Sequence, residues 1–168
     1  LFNEKNSIGV RLDDLKQKPK ETIAALCNWM GIKEEDTLYE MTAQGKKWWG
    51  DHSTPFLPAF GKVDKRKLGK VFSKKDKFIL ETLVYPFRVK FNYIEENPEK
   101  FKRDLKTIRP MINEIFDFEK KIAINLNINE KTLISSGSPC FFRAVLLSRW
   151  EILNKFNTYP NMIEMLKI

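Results

Sequence analysis

Arg66, Lys67 and Lys70, with Gly69 among them, stand near the end of a stretch running from Gly45 to Asp76. A guanidinium forks two anionic oxygens, an ammonium acts as a point charge, and a glycine lets the backbone approach closely. The same stretch holds Trp48 and Trp49 side by side, four glycines and two prolines, without helical or strand periodicity. Loops longer than about a dozen residues are uncommon in compact domains and are usually lids, binding loops or linkers. Phe56, Leu57, Phe60 and the two tryptophans can bury enough surface to order the chain, which argues for a binding loop with cations at its far end. The competing reading is a solvated charged face, and for Lys62, Lys74 and Lys75 that reading is preferred. One of the two tryptophans could equally be core with the other covering it.

Other chemistry-bearing residues are sparse. His52 is the one histidine, and no metal-ligand spacing exists with two distant cysteines, Cys27 and Cys140. Both thiols read as buried and reduced. Asp13 and Asp14 could form an acid/base pair by type, but adjacent carboxylates at a strand end more often cap the following helix. No residue is assigned a catalytic role.

The 168 residues are enough for one domain with a real core, and no apolar run reaches the length of a membrane span. A net charge of +8 with pI near 9.4 favours anionic partners such as nucleotides, nucleic acid or sulfated glycans. The chain opens at Leu1 without Met and shows no signal-peptide pattern. Its true N-terminus, with any targeting information, is expected elsewhere, and a cytoplasmic location is expected.

These residues need positioning elements. Ile8 to Leu12 reads as a short strand. Pro19 in the first turn starts a helix with Ile23, Leu26, Cys27 and Met30 inward, and Gly31 stops it. A helical turn is expected around Glu35 to Met41. Ser73 and Asp76 form a capping box for a helix with Ile79 and Leu83 inward, which Pro86 ends or kinks. Phe87, Val89, Phe91 and Tyr93 alternate, so strand and continuing helix both remain open. Asn97-Pro98 starts the strongest helical pattern, Phe101, Leu105, Ile108, Ile112, Ile115, Ile122 and Leu126, with Pro110 kinking or splitting it and Asn125, Asn127 and Asn129 ending it. Ser138-Pro139 caps a last helix with Phe142, Val145, Leu146, Trp150 and Leu153 inward. The fold class is mostly α with one or a few short strands.

Set side by side, Val10-Arg-Leu-Asp-Asp-Leu15, Lys18-Pro19-Lys20-Glu21-Thr22 and Cys27-Asn-Trp-Met-Gly31 resemble the sulfotransferase superfamily, enzymes that use 3′-phosphoadenylyl sulfate (PAPS). That family carries a late strand like "YEDL", a "P-x-x-T" helix and a "FLG" run. Gly45-Lys-Lys-Trp48-Trp-Gly50-Asp-His-Ser53 is similar to its "GKPWxGNS" segment, and Leu68 to Asp76 to its "GRWxxxLSxED" segment, with Asn92-Tyr93 resembling a closing "GY". The resemblance spans roughly residues 8 to 93, and its specificity lies in the order of the pieces. Departures are Leu12 for the family tyrosine near the adenine, which leaves apolar packing only, and Val71 for the usual tryptophan. The family's phosphosulfate loop, central 3′-phosphate site and catalytic histidine region, all upstream of "YEDL", have no counterpart in these residues.

The resemblance implies the C-terminal part of an α/β, P-loop-like sulfotransferase fold that lacks the N-terminal nucleotide-binding half. Residues 1–93 would form that part and 94–168 a helical extension packed on it. The implied activity is sulfuryl transfer from PAPS to a hydroxyl or amine of a carbohydrate or small molecule, with this chain inactive alone and no metal required. Arg66, Lys67, Gly69, Lys70 and Leu12 would bind the nucleotide co-substrate, and Trp48 and Trp49 would wall the acceptor. His52 does not match the family's upstream base and is read as structural. The alternatives are a basic helical polyanion-binding module, with nucleic acid disfavoured because no recognition motif accompanies the charge, and an interaction module whose 97–157 helices pair with a partner or a second copy.

Overall fold

Gly31 adopts φ 67°, the left-handed conformation that ends a helix, and Ser73 closes a capping box that begins one. Between these two signals lies most of the chain that the computed structural model leaves undescribed: it describes residues 7–40, 42–43, 46–47, 71–129, 132 and 137–168. The described residues form β1 (Ile8–Gly9), α1 (Leu12–Gln17), α2 (Pro19–Met30), a 3₁₀ turn (Asp36–Tyr39), β2 (Thr42–Ala43), β3 (Lys46–Lys47), α3 (Lys74–Leu83), α4 (Tyr85–Lys90), α5 (Pro98–Met111), α6 (Asp117–Asn125), α7 (Gly137–Phe156) and β4 (Glu164–Met165). The protein is mostly helical, as its sequence indicates.

Two compact units divide the chain, Leu1–Lys65 with Ile163–Ile168, and Arg66–Met162. The boundary near residue 93 suggested by the motifs falls inside the second unit, between α4 and α5. In the first unit β1 pairs with β4 in parallel, Ile8 opposite Glu164 and Gly9 opposite Met165, and the Leu166 N–H donates to the Gly9 carbonyl at 2.9 Å. β2 and β3 form a separate antiparallel pair, Thr42 opposite Lys47 and Ala43 opposite Lys46, so Lys46 and Lys47 of the long stretch are strand. The expected strand to Leu12 stops at Gly9. Arg11 is the N-cap of α1, and its guanidinium forks the Asp14 carboxylate at 2.6 and 2.5 Å, which fixes a helical turn where the sequence reads as strand. Lys18 then breaks the helix, and Pro19 starts α2 where its missing N–H costs nothing. Ile23 and Cys27 are buried on α2, whereas Met30 is exposed despite its inward register.

The second unit holds the larger core, with Ile79, Leu83, Phe101, Leu105, Ile108, Ile112, Phe116, Leu146 and Leu153 drawn from α3, α5, the following turn and α7. α3 ends at Leu83 because Pro86 cannot continue it. The Pro86 ring would meet the carbonyl four residues back, so the chain turns at Val84 and restarts as α4. Residues 87 to 90 are therefore helical, which resolves the alternation against a strand. Asn97 caps α5, its side chain accepting from the Lys100 N–H at 3.0 Å. Pro110 sits in the last turn of α5, and the long apolar pattern splits there into α5 and α6. The inward register does not survive the split: Ile122 and Leu126 are exposed, while α6 buries Glu119 and Ala123. On α7, Trp150 donates its indole N–H to the Leu105 carbonyl at 2.7 Å and receives the Arg109 guanidinium over its ring at 5.2 Å.

Candidate functional site

Arg66, Lys67, Gly69, Lys70, Trp48 and Trp49, the residues singled out for nucleotide and acceptor binding, lie outside the described residues, as does His52. Leu12 is described. It opens α1 rather than ending a strand and is 62 % exposed, so no described side chain encloses it. Asp13 and Asp14 occupy the first turn of α1, where negative charge meets the positive end of the helix dipole, and Asp14 is committed to Arg11.

The structure defines the exit of the cation-bearing loop, residues 71–76. Ser73 Oγ accepts from the Asp76 N–H at 3.1 Å, and Asp76 Oδ2 accepts from the Ser73 N–H at 3.0 Å. The same carboxylate reaches further. Oδ1 accepts from the Asp117 N–H at 3.0 Å and Oδ2 from the Phe118 N–H at 3.1 Å. α6 has Phe116 at its N-cap, a side chain that cannot accept a hydrogen bond, so Asp76 supplies the cap from another helix. Asp76 is fully buried, and its charge is met by three backbone N–H groups rather than by a cation. Around it, Lys75 pairs with Glu114, Lys121 Nζ donates to the Val71 carbonyl at 3.4 Å, and Phe72 meets Phe118 edge-on at 5.2 Å. The loop's last residues are thus held on α6 and the turn before it. Sequence reasoning found the capping box but not its second client, because a contact across some forty residues leaves no local spacing to read.

Two tyrosines are perturbed. The Glu34 carboxylate accepts the Tyr39 hydroxyl proton and pushes its pKa up to about 12. Burial raises that of Tyr159, whose hydroxyl donates to the Leu83 carbonyl. Among the described residues no group of three or more His, Cys, Asp or Glu is arranged to hold a metal, and Cys27 is buried as a free thiol. No helix among them is long and apolar enough to cross a membrane. A cleft beside Tyr85, lined by residues of α3, α4, α5 and the turn before α5, was signalled by no motif.

The chain matches no known family model, no curated protein and no solved structure.

Proposed function

We propose that this chain is the C-terminal part of a PAPS-dependent sulfotransferase, contributing a cation-bearing loop that closes over the nucleotide and tryptophans that wall the acceptor. The observation that carries the reading is the order of elements from Ile8 to Gly31. A parallel-paired strand runs into a short acidic-ended helix, and then a proline-started helix is stopped by a left-handed glycine. The "P-x-x-T" and "FLG" pieces call for such a helix and its stop, whereas Leu12–Leu15, set against the "YEDL" strand, is helical. The capping-box helix after the loop, α3, is in keeping with the resemblance of Leu68 to Asp76 to the "LSxED" segment.

The composition of the first unit supports the same reading. Its strand pair is parallel and two residues long, whereas parallel sheets are ordinarily wider and covered on both faces. Val10, Leu12, Trp29, Met30, Ile32 and Leu38 are exposed, against Ile23, Cys27 and Leu166 buried. So much uncovered apolar surface beside so short a parallel pair fits a layer built to pack on further strands and helices.

In such an enzyme the protein positions the reactants and neutralises charge on the transferring group and the leaving nucleotide. Arg66 would fork the nucleotide phosphate, Lys67 and Lys70 would add point charges, and Gly69 would admit the backbone. Calorimetric titration of the product of the complete reading frame with adenosine 3′,5′-bisphosphate tests this. Saturable binding, weakened at least about tenfold by Arg66→Ala, is expected, since charge-assisted bonds contribute roughly 1.5–3 kcal/mol. No binding to the parent protein rejects the reading.

One observation favours a second reading. Between Arg66 and Met162 the sequence holds 19 Lys and Arg against 11 Asp and Glu, a balance of +8, while the remaining residues hold 11 of each. The whole excess charge belongs to the helical unit, so a polyanion-binding role would reside there. Affinity for heparin that falls steeply with salt would support it, and salt-independent affinity would eliminate it.

A further inference from the structure

The helical unit carries the protein's positive excess, yet one of its concave surfaces is acidic. The cleft beside Tyr85 encloses about 390 Å³, within the range of small-molecule sites. Its apolar lining comes from three elements: Phe78 on α3, Tyr85 on α4 and Phe101 on α5, with Ile94 from the intervening turn. The Tyr85 and Phe101 rings stack at 4.4 Å and 9°. The Tyr85 hydroxyl accepts the Asn97 N–H, and Asn97 caps α5, so the wall and the helix start are tied together.

The charged lining consists of four carboxylates and two cations. Arg88 is engaged with Glu81 at 3.4 Å, and Lys100 with Asp104 at 2.5 Å. Each cation therefore cancels a carboxylate already beside it. Glu95 and Glu96 remain, adjacent on the turn before α5, and neither has an ion-pair partner among the described residues. They lie just outside the N-terminus of α5, where the helix dipole favours them but leaves their outward oxygens unpaired. An anion entering would meet two uncompensated carboxylates. A neutral ligand would use the rings alone. A cation would use both.

We propose that this cleft binds a small organic cation, an amidinium, guanidinium or primary amine on a flat apolar body, with the body against the half-buried Phe78 and Tyr85 and the charge toward Glu95 and Glu96. The proposal is independent of the sulfotransferase reading, because every residue in it lies beyond or outside the loop that reading uses. The aromatic wall contributes contact area, and the carboxylates contribute orientation and selection of charge.

The test is calorimetric titration of the 168-residue chain with benzamidine and with benzamide, its neutral isostere, accompanied by amide chemical-shift mapping. Saturable 1:1 binding of benzamidine is expected, with benzamide at least about tenfold weaker and the largest shifts at Ile94 to Asn97. The double substitution Glu95→Gln/Glu96→Gln changes only exposed side chains, so it should leave the melting temperature unchanged while weakening benzamidine about tenfold. Lys102→Gln/Lys106→Gln, on the opposite flank of α5, should leave benzamidine binding as it was. Benzamidine that fails to saturate, benzamide that binds equally well, shifts centred away from Ile94 to Asn97, or affinity unmoved by the glutamate substitutions would each overturn the proposal.

Discussion

At the scale of single residues, Asp76 joins two helices through one side chain. One carboxylate closes the capping box of α3 and caps α6, so Asp76→Ala leaves three buried N–H groups without an acceptor. A lost cap costs about 1 kcal/mol and each buried unsatisfied donor about 1–3 kcal/mol, so a loss of roughly 3 kcal/mol is expected as a lower urea midpoint. Asp76→Asn should recover part of it, since its amide oxygen still accepts. Tyr159 makes a pH-dependent contribution. Its folded pKa lies above the unfolded value near 10, so the unfolded chain loses the proton first and stability falls as pH rises past 10 toward the folded pKa. Tyr159→Phe should cost about 1 kcal/mol at neutral pH through the lost bond to the Leu83 carbonyl, and should flatten that alkaline decline in a series of urea melts.

At the scale of elements, helix starts and stops were legible where a local rule decides them. Pro19, Gly31, the Ser73–Asp76 box and Asn97-Pro98 all mark boundaries the structure adopts. Gly31 tests the rule directly. A Cβ there would meet nothing within 4 Å, so the cost of Gly31→Ala, about 1 kcal/mol in thermal melts, comes from backbone conformation alone. Periodicity failed where tertiary contacts compete with it. The 4-3 pattern predicted burial of Ile122 and Leu126, but the turn at residues 112–116 rotates the register, and α6 instead turns inward Glu119, which accepts from the Phe116 N–H at 2.8 Å and lies 3.5 Å from Arg143. The strand read into residues 8–12 is present but ends at Gly9, since the Arg11–Asp14 fork is a helical i,i+3 contact that a short β-type run conceals. The candidate site was legible only as composition. Of its seven residues Leu12 alone is described, and it lies exposed at a helix start rather than in an enclosed pocket.

At the scale of the whole molecule, core and charge are both unequally shared. The buried cluster of nine side chains lies within the helical unit, and so does the net charge of +8. Amide hydrogen exchange should therefore be slowest at Ile79, Leu105, Ile108 and Leu153 and markedly faster at β1 and β4, because a two-residue strand pair can open with little loss of buried surface. Uniform protection across both units would contradict this division. Leu153→Ala, at a position with no exposure, should lower stability by about 2–5 kcal/mol, and the same measurement on Leu38→Ala, which is exposed, should show little change.

The pairing of Ile8 with Glu164 carries a consequence for how the chain is made. A ribosome releases β1 before the helical stretch and β4 after it. The contiguous helical stretch can condense while synthesis continues, whereas β1 must wait for β4 to emerge. A chain ended before Ile163 and released from the ribosome should accordingly keep its helices resistant to protease while its first strand remains unpaired.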